Sequence, residues 1–192
     1  MSSHYFIAIH LPEMLQNYFS KLQQELKREL PYKQWPHKRD LHITLKFLGP
    51  VADNEVSLLQ HQLQNMEQSA PFTLETGGLG TFGNPKKPRV LWAGVEKTEQ
   101  LKQLQEKVEE HCLDAGYEKE KRDYRPHITL AKKWNGKEIE NINEVIRGKK
   151  LEMQKWHVKN IVLFRIHPQK NPKYEAVSIY PLQGGGSNGT AH

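Results

Sequence analysis

The sequence predicts an α+β fold of two fused lobes, and three observations carry that reading. Short apolar or alternating runs interleave with segments whose apolar residues recur at helical spacing. The string His-Ile-Thr-Leu occurs twice, at residues 42–45 and 127–130. Ile7, in one strand-like run, precedes His42 by 35 residues, and Trp92, in another, precedes His127 by the same interval. Equal offsets mark an internal repeat, here about residues 4–82 and 88–182, which places equivalent residues in equivalent positions.

The elements follow in order. Tyr5-Phe6-Ile7-Ala8-Ile9 reads as a short buried strand. Pro12 suits the first turn of a helix that runs to about Glu29, with Leu15, Phe19, Leu22 and Leu26 on one face. Residues 41–47 alternate strictly and form a strand that Gly49-Pro50 ends. Asp53 can cap a helix carrying Val56, Leu59, Leu63 and Met66 inward. A strand over residues 72–75 leads into a glycine-rich turn, Gly77-Gly78-Leu79-Gly80. The series then restarts: a strand over Val90–Val95, a helix over residues 98–115 with Leu101, Leu104 and Val108 inward, a strand over 127–131 and a helix over 138–147. Two strands, 156–166 and 174–180, close the chain around a Pro168-Gln169-Lys170-Asn171-Pro172 turn.

At 192 residues the chain suits one domain, placed at residues 1–183, and the Gly/Ser-rich residues 184–192 read as a flexible tail. Hydrophobic residues at 36% and charged residues at 26% fit a globular protein rather than a disordered one. No apolar run approaches the roughly 18–20 residues of a membrane span, and Met1-Ser2-Ser3-His4 lacks signal-peptide character. The single cysteine, Cys112, excludes an internal disulfide; a cytoplasmic monomer is the expectation. The net charge of +6 suits a polyanionic partner without requiring one.

Side chains alternate across a strand, so His42 and Thr44 share one face while Leu41, Ile43, Leu45 and Phe47 share the apolar other. Continued, the first face reads Asp40, His42, Thr44, Lys46, and its counterpart reads Arg125, His127, Thr129. With ten histidines in the chain, chance gives roughly 0.4 His-x-Thr triplets, so two identical four-residue strings at matching places in a repeat stand well above it. Opening a cyclic phosphodiester requires one group to take a proton from water and another to give one to the departing ribose oxygen. Imidazole, with an ordinary pKa of about 6.5, can do either near neutrality, so two of them can act as base and acid in line. Threonine hydroxyls and nearby cations can hold the non-bridging oxygens. This arrangement needs no metal and no cofactor.

On these residues the sequence resembles the two-histidine phosphoesterases, specifically the bacterial and archaeal RNA 2′,3′-cyclic phosphodiesterases often labelled 2′-5′ RNA ligases. The resemblance runs from about Tyr5 to Leu182. Its landmarks are Leu41-His42-Ile43-Thr44-Leu45-Lys46-Phe47-Leu48-Gly49, Pro88-Arg89-Val90-Leu91-Trp92-Ala93-Gly94-Val95, Arg125-Pro126-His127-Ile128-Thr129-Leu130-Ala131 and Leu163-Phe164-Arg165. It implies two pseudo-symmetric lobes of antiparallel β-sheet with flanking helices around a central cleft lined by both motifs. It implies hydrolysis of RNA 2′,3′-cyclic phosphate ends to 2′-phosphates, with His42 as proton donor to O3′, His127 as proton acceptor from water, and Thr44 and Thr129 on the phosphoryl oxygens. Lys132-Lys133 stand where an Arg is common, and Ile166-His167-Pro168 follow Arg165 where a small polar residue is usual. ATP-independent ligation at the same site and a non-catalytic RNA-end binding module are the alternatives.

Four further residues are candidates for substrate binding. Lys46 and Arg125 share strand faces with the histidines, and Arg89 precedes a buried strand from which it can reach the cleft or form a surface ion pair. Phe82 can stack on a base; Trp92 can too, although its apolar neighbours favour a core role. The mixed run at residues 118–123 reads as a solvated loop. His37, His61, His111, His157 and His167 show no zinc-site spacing, and no Walker or Gly-x-Gly-x-x-Gly loop exists, which argues against nucleotide-driven chemistry.

Overall fold

The computed structural model describes residues 2–185. Among the described residues nine strands and four α-helices run β1 Ser2–His10, α1 Glu13–Lys27, β2 Tyr32–Gln34, β3 His42–Ala52, α2 Asp53–Leu63, β4 Phe72–Phe82, β5 Val90–Val95, α3 Glu99–Asp114, β6 His127–Trp134, α4 Ile142–Arg147, β7 Lys155–Val158, β8 Asn160–Ile166 and β9 Tyr174–Pro181. They form one antiparallel sheet in the order β7-β4-β5-β6-β3-β1-β8-β9, with short β2 on β6. One face carries the helices and the main core. The apolar stripe of α1, Leu15, Phe19, Leu22 and Leu26, is buried there, as are Leu101, Leu104 and Val108 of α3. Thr98 caps α3 by accepting from Leu101 N at 3.2 Å. No described helix is long and apolar enough to cross a membrane.

The sheet halves do not follow the two sequence copies. β4, from the first copy, pairs with β5 and β7, whereas β8, from the second, pairs with β1. The expected strand over 156–166 is therefore two: β7 ends at Val158 on β4, and β8 begins at Asn160 on β1. The lobes exchange strands and cannot separate without breaking the sheet. Between them lies a single register pair, Ile43 with Ile128.

Beside that seam both motif strands carry a bulge. Ala8 faces Thr44 and Ile7 faces Lys46, so Leu45 has no partner on β1. Trp92 faces Thr129 and Leu91 faces Ala131, so Leu130 has none on β5. An extra residue shifts the alternation by one place. Lys46 is thereby turned to the helix side, where it is buried and bonds Glu109 Oε2 of α3 at 2.9 Å, and Phe47 is left 60% exposed on the other face. This corrects the expectation that Lys46 shares the face of His42 and that Phe47 joins the core. In the second copy the same shift sends Ala131 to the core and Lys132 outward. Backbone groups beside the bulges are satisfied from elsewhere in the fold. Gln23 Nε2 of α1 donates to Leu130 O at 3.0 Å, and Tyr124 Oη donates to Thr44 O at 2.8 Å.

Other elements differ in their limits. β3 continues through Gly49-Pro50, because a second bulge at Leu48 is absorbed by Gly49 at φ +72°. Ala52, not Asp53, occupies the cap position of α2, and Glu55 accepts from Ala52 N at 3.3 Å. The glycine-rich segment is strand, not turn: a Cβ on Gly80 would lie 2.2 Å from Trp92 Cη2, so glycine is what lets the indole lie across β4. The last helix is only Ile142–Arg147, capped by Asn141, because Ile139 N is drawn to Lys86 O. Within the tail, Gly184 N donates to Ser69 O at 3.0 Å; residues 186–192 lie outside the described residues.

Removing one partner of a buried ion pair leaves a charge without compensation. Glu109→Ala is expected to cost about 3–5 kcal/mol in urea unfolding. The double change Lys46→Met with Glu109→Leu should recover most of that loss.

Candidate active site

His42 and His127 each open a strand at the seam, and the Ile43–Ile128 pair fixes their relation. In an antiparallel pair this register sets His42 across from Thr129 and Thr44 across from His127, all four on the face away from the helices. The two imidazoles stand on the diagonal, where side chains are about 7–8 Å apart. That spacing admits a phosphoryl group between them.

The two rings are held alike. His42 Nδ1 donates to Asp40 O at 2.6 Å and His127 Nδ1 donates to Arg125 O at 2.7 Å. A carbonyl can only accept, so Nδ1 carries the proton and Nε2 is the working nitrogen in both. His42 Nε2 lies 3.0 Å from Thr44 Oγ1. Around His42 pack Phe6, Tyr174 and Phe164, with ring centroids at 4.7, 5.4 and 6.5 Å. His127 instead meets Phe82 edge-on at 4.9 Å and borders an open cavity of about 1010 Å³.

The cleft gathers His42, His127, Thr44 and Thr129, with Phe82 and Arg125 lining the cavity beside His127. Trp92 belongs there as well. It is half-buried, lines the cavity and has its Nε1 buried without a partner among the described residues, so the expected core role is corrected. Its neighbours Leu91 and Ala93 are the core residues of β5. Lys46 is outside the cleft. Arg89 is exposed beside Gly83, away from the cavity lining, and makes no ion pair among the described residues. The side chains of residues 118–123 are solvated as expected, though Glu118 O and Glu120 N bond Lys46 and Glu109.

Two groups do more than the sequence assigns them. The buried Asp40 carboxylate accepts from Lys173 N at 2.8 Å and Tyr174 N at 3.1 Å, so it pins the start of β9 beside His42 while its own carbonyl holds the ring. Its adjacency to the motif was visible; its partners, more than 130 residues away, were not. Lys132 points outward on β6 only because of the Leu130 bulge, and its charge acts on both imidazoles.

Residues 11–170 match the family model described as the 2′-5′ RNA ligase superfamily. The chain belongs to that superfamily. A Bacillus subtilis protein named RNA 2′,3′-cyclic phosphodiesterase is 34% identical over 182 residues, which is 93% of this chain and 96% of that protein. A Geobacillus stearothermophilus protein of the same name is 38% identical over 95% of this chain, which spans only 58% of that relative's length. The fold is that of E. coli LigT, solved in complex with 3′-AMP, at a TM-score of 0.76 and 19% identity over 95% of this chain and 99% of that one. TT0787 of Thermus thermophilus matches at 0.75 and 24% identity, over 94% and 98%.

In this member of the superfamily both imidazoles are held below their ordinary pKa. Burial pushes His42 down to about 4, against the help of its bond to Asp40 O, and the charges of Lys132, His10 and His127 add to the effect. His127 is lowered by burial and by Lys132. Lys132 is itself lowered, by partial desolvation and then by Lys173 and Lys133. An anion arriving between the rings would reverse this. At about 4 Å and an effective dielectric near 20 one charge is worth about 4 kcal/mol, roughly a thousandfold in proton affinity, which returns His42 to near neutral pH.

Because folded His42 binds a proton more weakly than the unfolded chain does, its contribution to stability is complete above about pH 6.5. It is lost as pH falls toward 4. An NMR titration of the free protein is expected to place His42 near pH 4, below His127, with saturating inorganic phosphate moving both upward. A His42 that titrates at its ordinary value in the free protein would contradict the dry environment described.

Proposed function

We propose that the protein hydrolyses RNA 2′,3′-cyclic phosphate ends to 2′-phosphates by two-histidine acid–base catalysis. The observation that carries this reading is the diagonal His42/His127 pair with both Nδ1 atoms engaged and both Nε2 atoms turned to one cleft. The name shared by the Bacillus and Geobacillus relatives supports the same substrate.

His127 Nε2 takes a proton from water, whose oxygen bonds to phosphorus; the P–O3′ bond breaks in line, and His42 Nε2 delivers its proton to O3′. Thr44 and Thr129 donate to the non-bridging oxygens, with Lys132 balancing their charge. Two features favour this division of labour. Proton release from His42 is driven by its dry aromatic surroundings, which destabilise the imidazolium as negative charge moves from the phosphoryl oxygens to O3′. His127 faces the open cavity, from which water reaches it. Phe82 and Trp92 offer faces to a base beside it. The single thiol, Cys112, is buried and pushed up to about 12 by that burial, and takes no part. We place the enzyme in the cytoplasm as a monomer.

His42→Ala and His127→Ala are each expected to reduce turnover of a 2′,3′-cyclic phosphate oligonucleotide by at least about 10²-fold with the unfolding midpoint nearly unchanged. EDTA should leave wild-type turnover intact, and the pH–rate profile should be bell-shaped. Phosphorus NMR of the product should show a 2′-phosphate; a 3′-phosphate would reverse the leaving group and the role of His42.

A further inference from the structure

The cavity beside His127 does not end at the cleft. Gly77, Gly78, Leu79 and Met153 line both it and a second cavity of about 530 Å³ that reaches α4, so one groove runs along β4 from the reacting centre to Arg147. Its floor carries little side chain. A Cβ on Gly78 would meet nothing within 4 Å, and one on Gly77 would meet only the backbone of Gly94 at 3.8 Å. The wall is fixed: Thr76, where β4 turns from β7 to β5, exchanges bonds of 2.9 Å with Gln154 through both its N–H and its Oγ1. At the junction Met153 is 72% exposed, an apolar side chain unused by the core.

Charge divides along this groove. Near the cleft Arg125 and Lys97 are offset by Glu75, Glu96 and Asp123, and Glu75 is itself paired with Lys155. Beyond the junction the lining holds Arg147 and Lys149 and no carboxylate. Lys149 pairs with Glu29, whereas Arg147 is exposed and has no ion pair among the described residues. Aromatic faces and mixed polar charge suit a base and its ribose; an unopposed cation farther along suits a phosphodiester.

We infer that this groove binds the RNA strand on the 5′ side of the reacting nucleotide, with a backbone phosphate on Arg147, and that it selects oligonucleotides over mononucleotides. The inference rests on the proposed cyclic-phosphate reaction for its orientation. A mononucleotide can occupy only the first cavity, while a strand of two or three nucleotides reaches the second. Met153 and the glycine floor then cover one face of the strand where it crosses.

Binding of product strands tests this without turnover. Fluorescence anisotropy would compare a 5′-labelled trinucleotide ending in 2′-phosphate on wild type and Arg147→Ala, with an unlabelled nucleoside 2′-phosphate measured by competition. The trinucleotide is expected to bind at least about tenfold more tightly than the mononucleotide on wild type. Arg147→Ala should weaken the trinucleotide about fivefold and lower its log–log salt slope by about 0.7, with the mononucleotide unchanged. Equal wild-type affinities for the two ligands, or an Arg147→Ala protein that binds the trinucleotide as wild type does or weakens both ligands alike, would overturn the inference. A protein that shows the length preference yet leaves cyclic ends intact would sink the proposed reaction and leave the groove standing.

Discussion

The two halves of the sheet meet through one register pair, Ile43 with Ile128, and the chemistry of the cleft depends on how little backbone joins them there. A fully zipped β3–β6 ladder would continue the pairing past the motifs and close the space between the imidazoles. Instead each strand bulges at the Leu of its His-Ile-Thr-Leu string, bends away, and leaves two histidines and two threonines on a short polar patch. Bulges release backbone groups that must be bonded elsewhere. Gln23 of α1 and Tyr124 of the loop before β6 meet that need, each from the sequence copy opposite the strand it bonds. The exchange of β4 and β8 between the halves adds a second tie. The cleft is thus held open by a split in the sheet and held in shape by connections that cross it.

Strand and helix placement was largely legible because local spacing reports it. The apolar stripe of α1, the extent of α3 to within a residue at each end and the repeated strings all lie where periodicity puts them. What could not be read is whatever depends on a partner strand. Alternation assigns Lys46 to the cleft, and one unpaired leucine sends it into the helix layer against Glu109. The glycines at 77, 78 and 80 look like a turn in isolation and are strand because Trp92 lies across Gly80. Arg89 precedes a buried strand, and a place in the sequence beside a strand does not give its side chain a direction. Conversely Lys132 gained its outward position from the same kind of bulge that removed Lys46.

The two motifs share a backbone but not a setting. His42 sits under Phe6, Phe164 and Tyr174, a small apolar cluster on the cleft side that the β8–β9 strands complete. Asp40 fastens that cover to the same turn that orients the ring. His127 has the thinner cover of Phe82 and Trp92 and the larger open volume. Pseudo-symmetry supplies two equivalent imidazoles, and the unequal elements around them make one a strong acid when charged and leave the other accessible to water. The proposed division of roles therefore rests on the parts of the fold that break the repeat.

The cations around the cleft act in two opposite senses, and the order of events separates them. Without substrate, burial first and the charges of Lys132, His10 and His127 second raise the cost of protonating His42, and burial with Lys132 does the same to His127, so both imidazoles rest neutral at neutral pH. That is the correct state for a base and the wrong one for an acid. On the proposed reaction, a phosphodiester anion entering between them is attracted by the same charges, and its own charge then restores proton affinity to the ring it approaches. On the proposed mechanism His42 becomes an acid only when there is a leaving group to protonate. In the proposed step, negative charge moves onto O3′ as the P–O3′ bond breaks, and the proton follows it out of an aromatic pocket that favours the neutral ring. A site with a permanently protonated His42 would need a fixed carboxylate close to its Nε2, and that carboxylate would repel the phosphate. A backbone carbonyl on Nδ1 orients the ring without adding net charge, which is what Asp40 O and Arg125 O each provide.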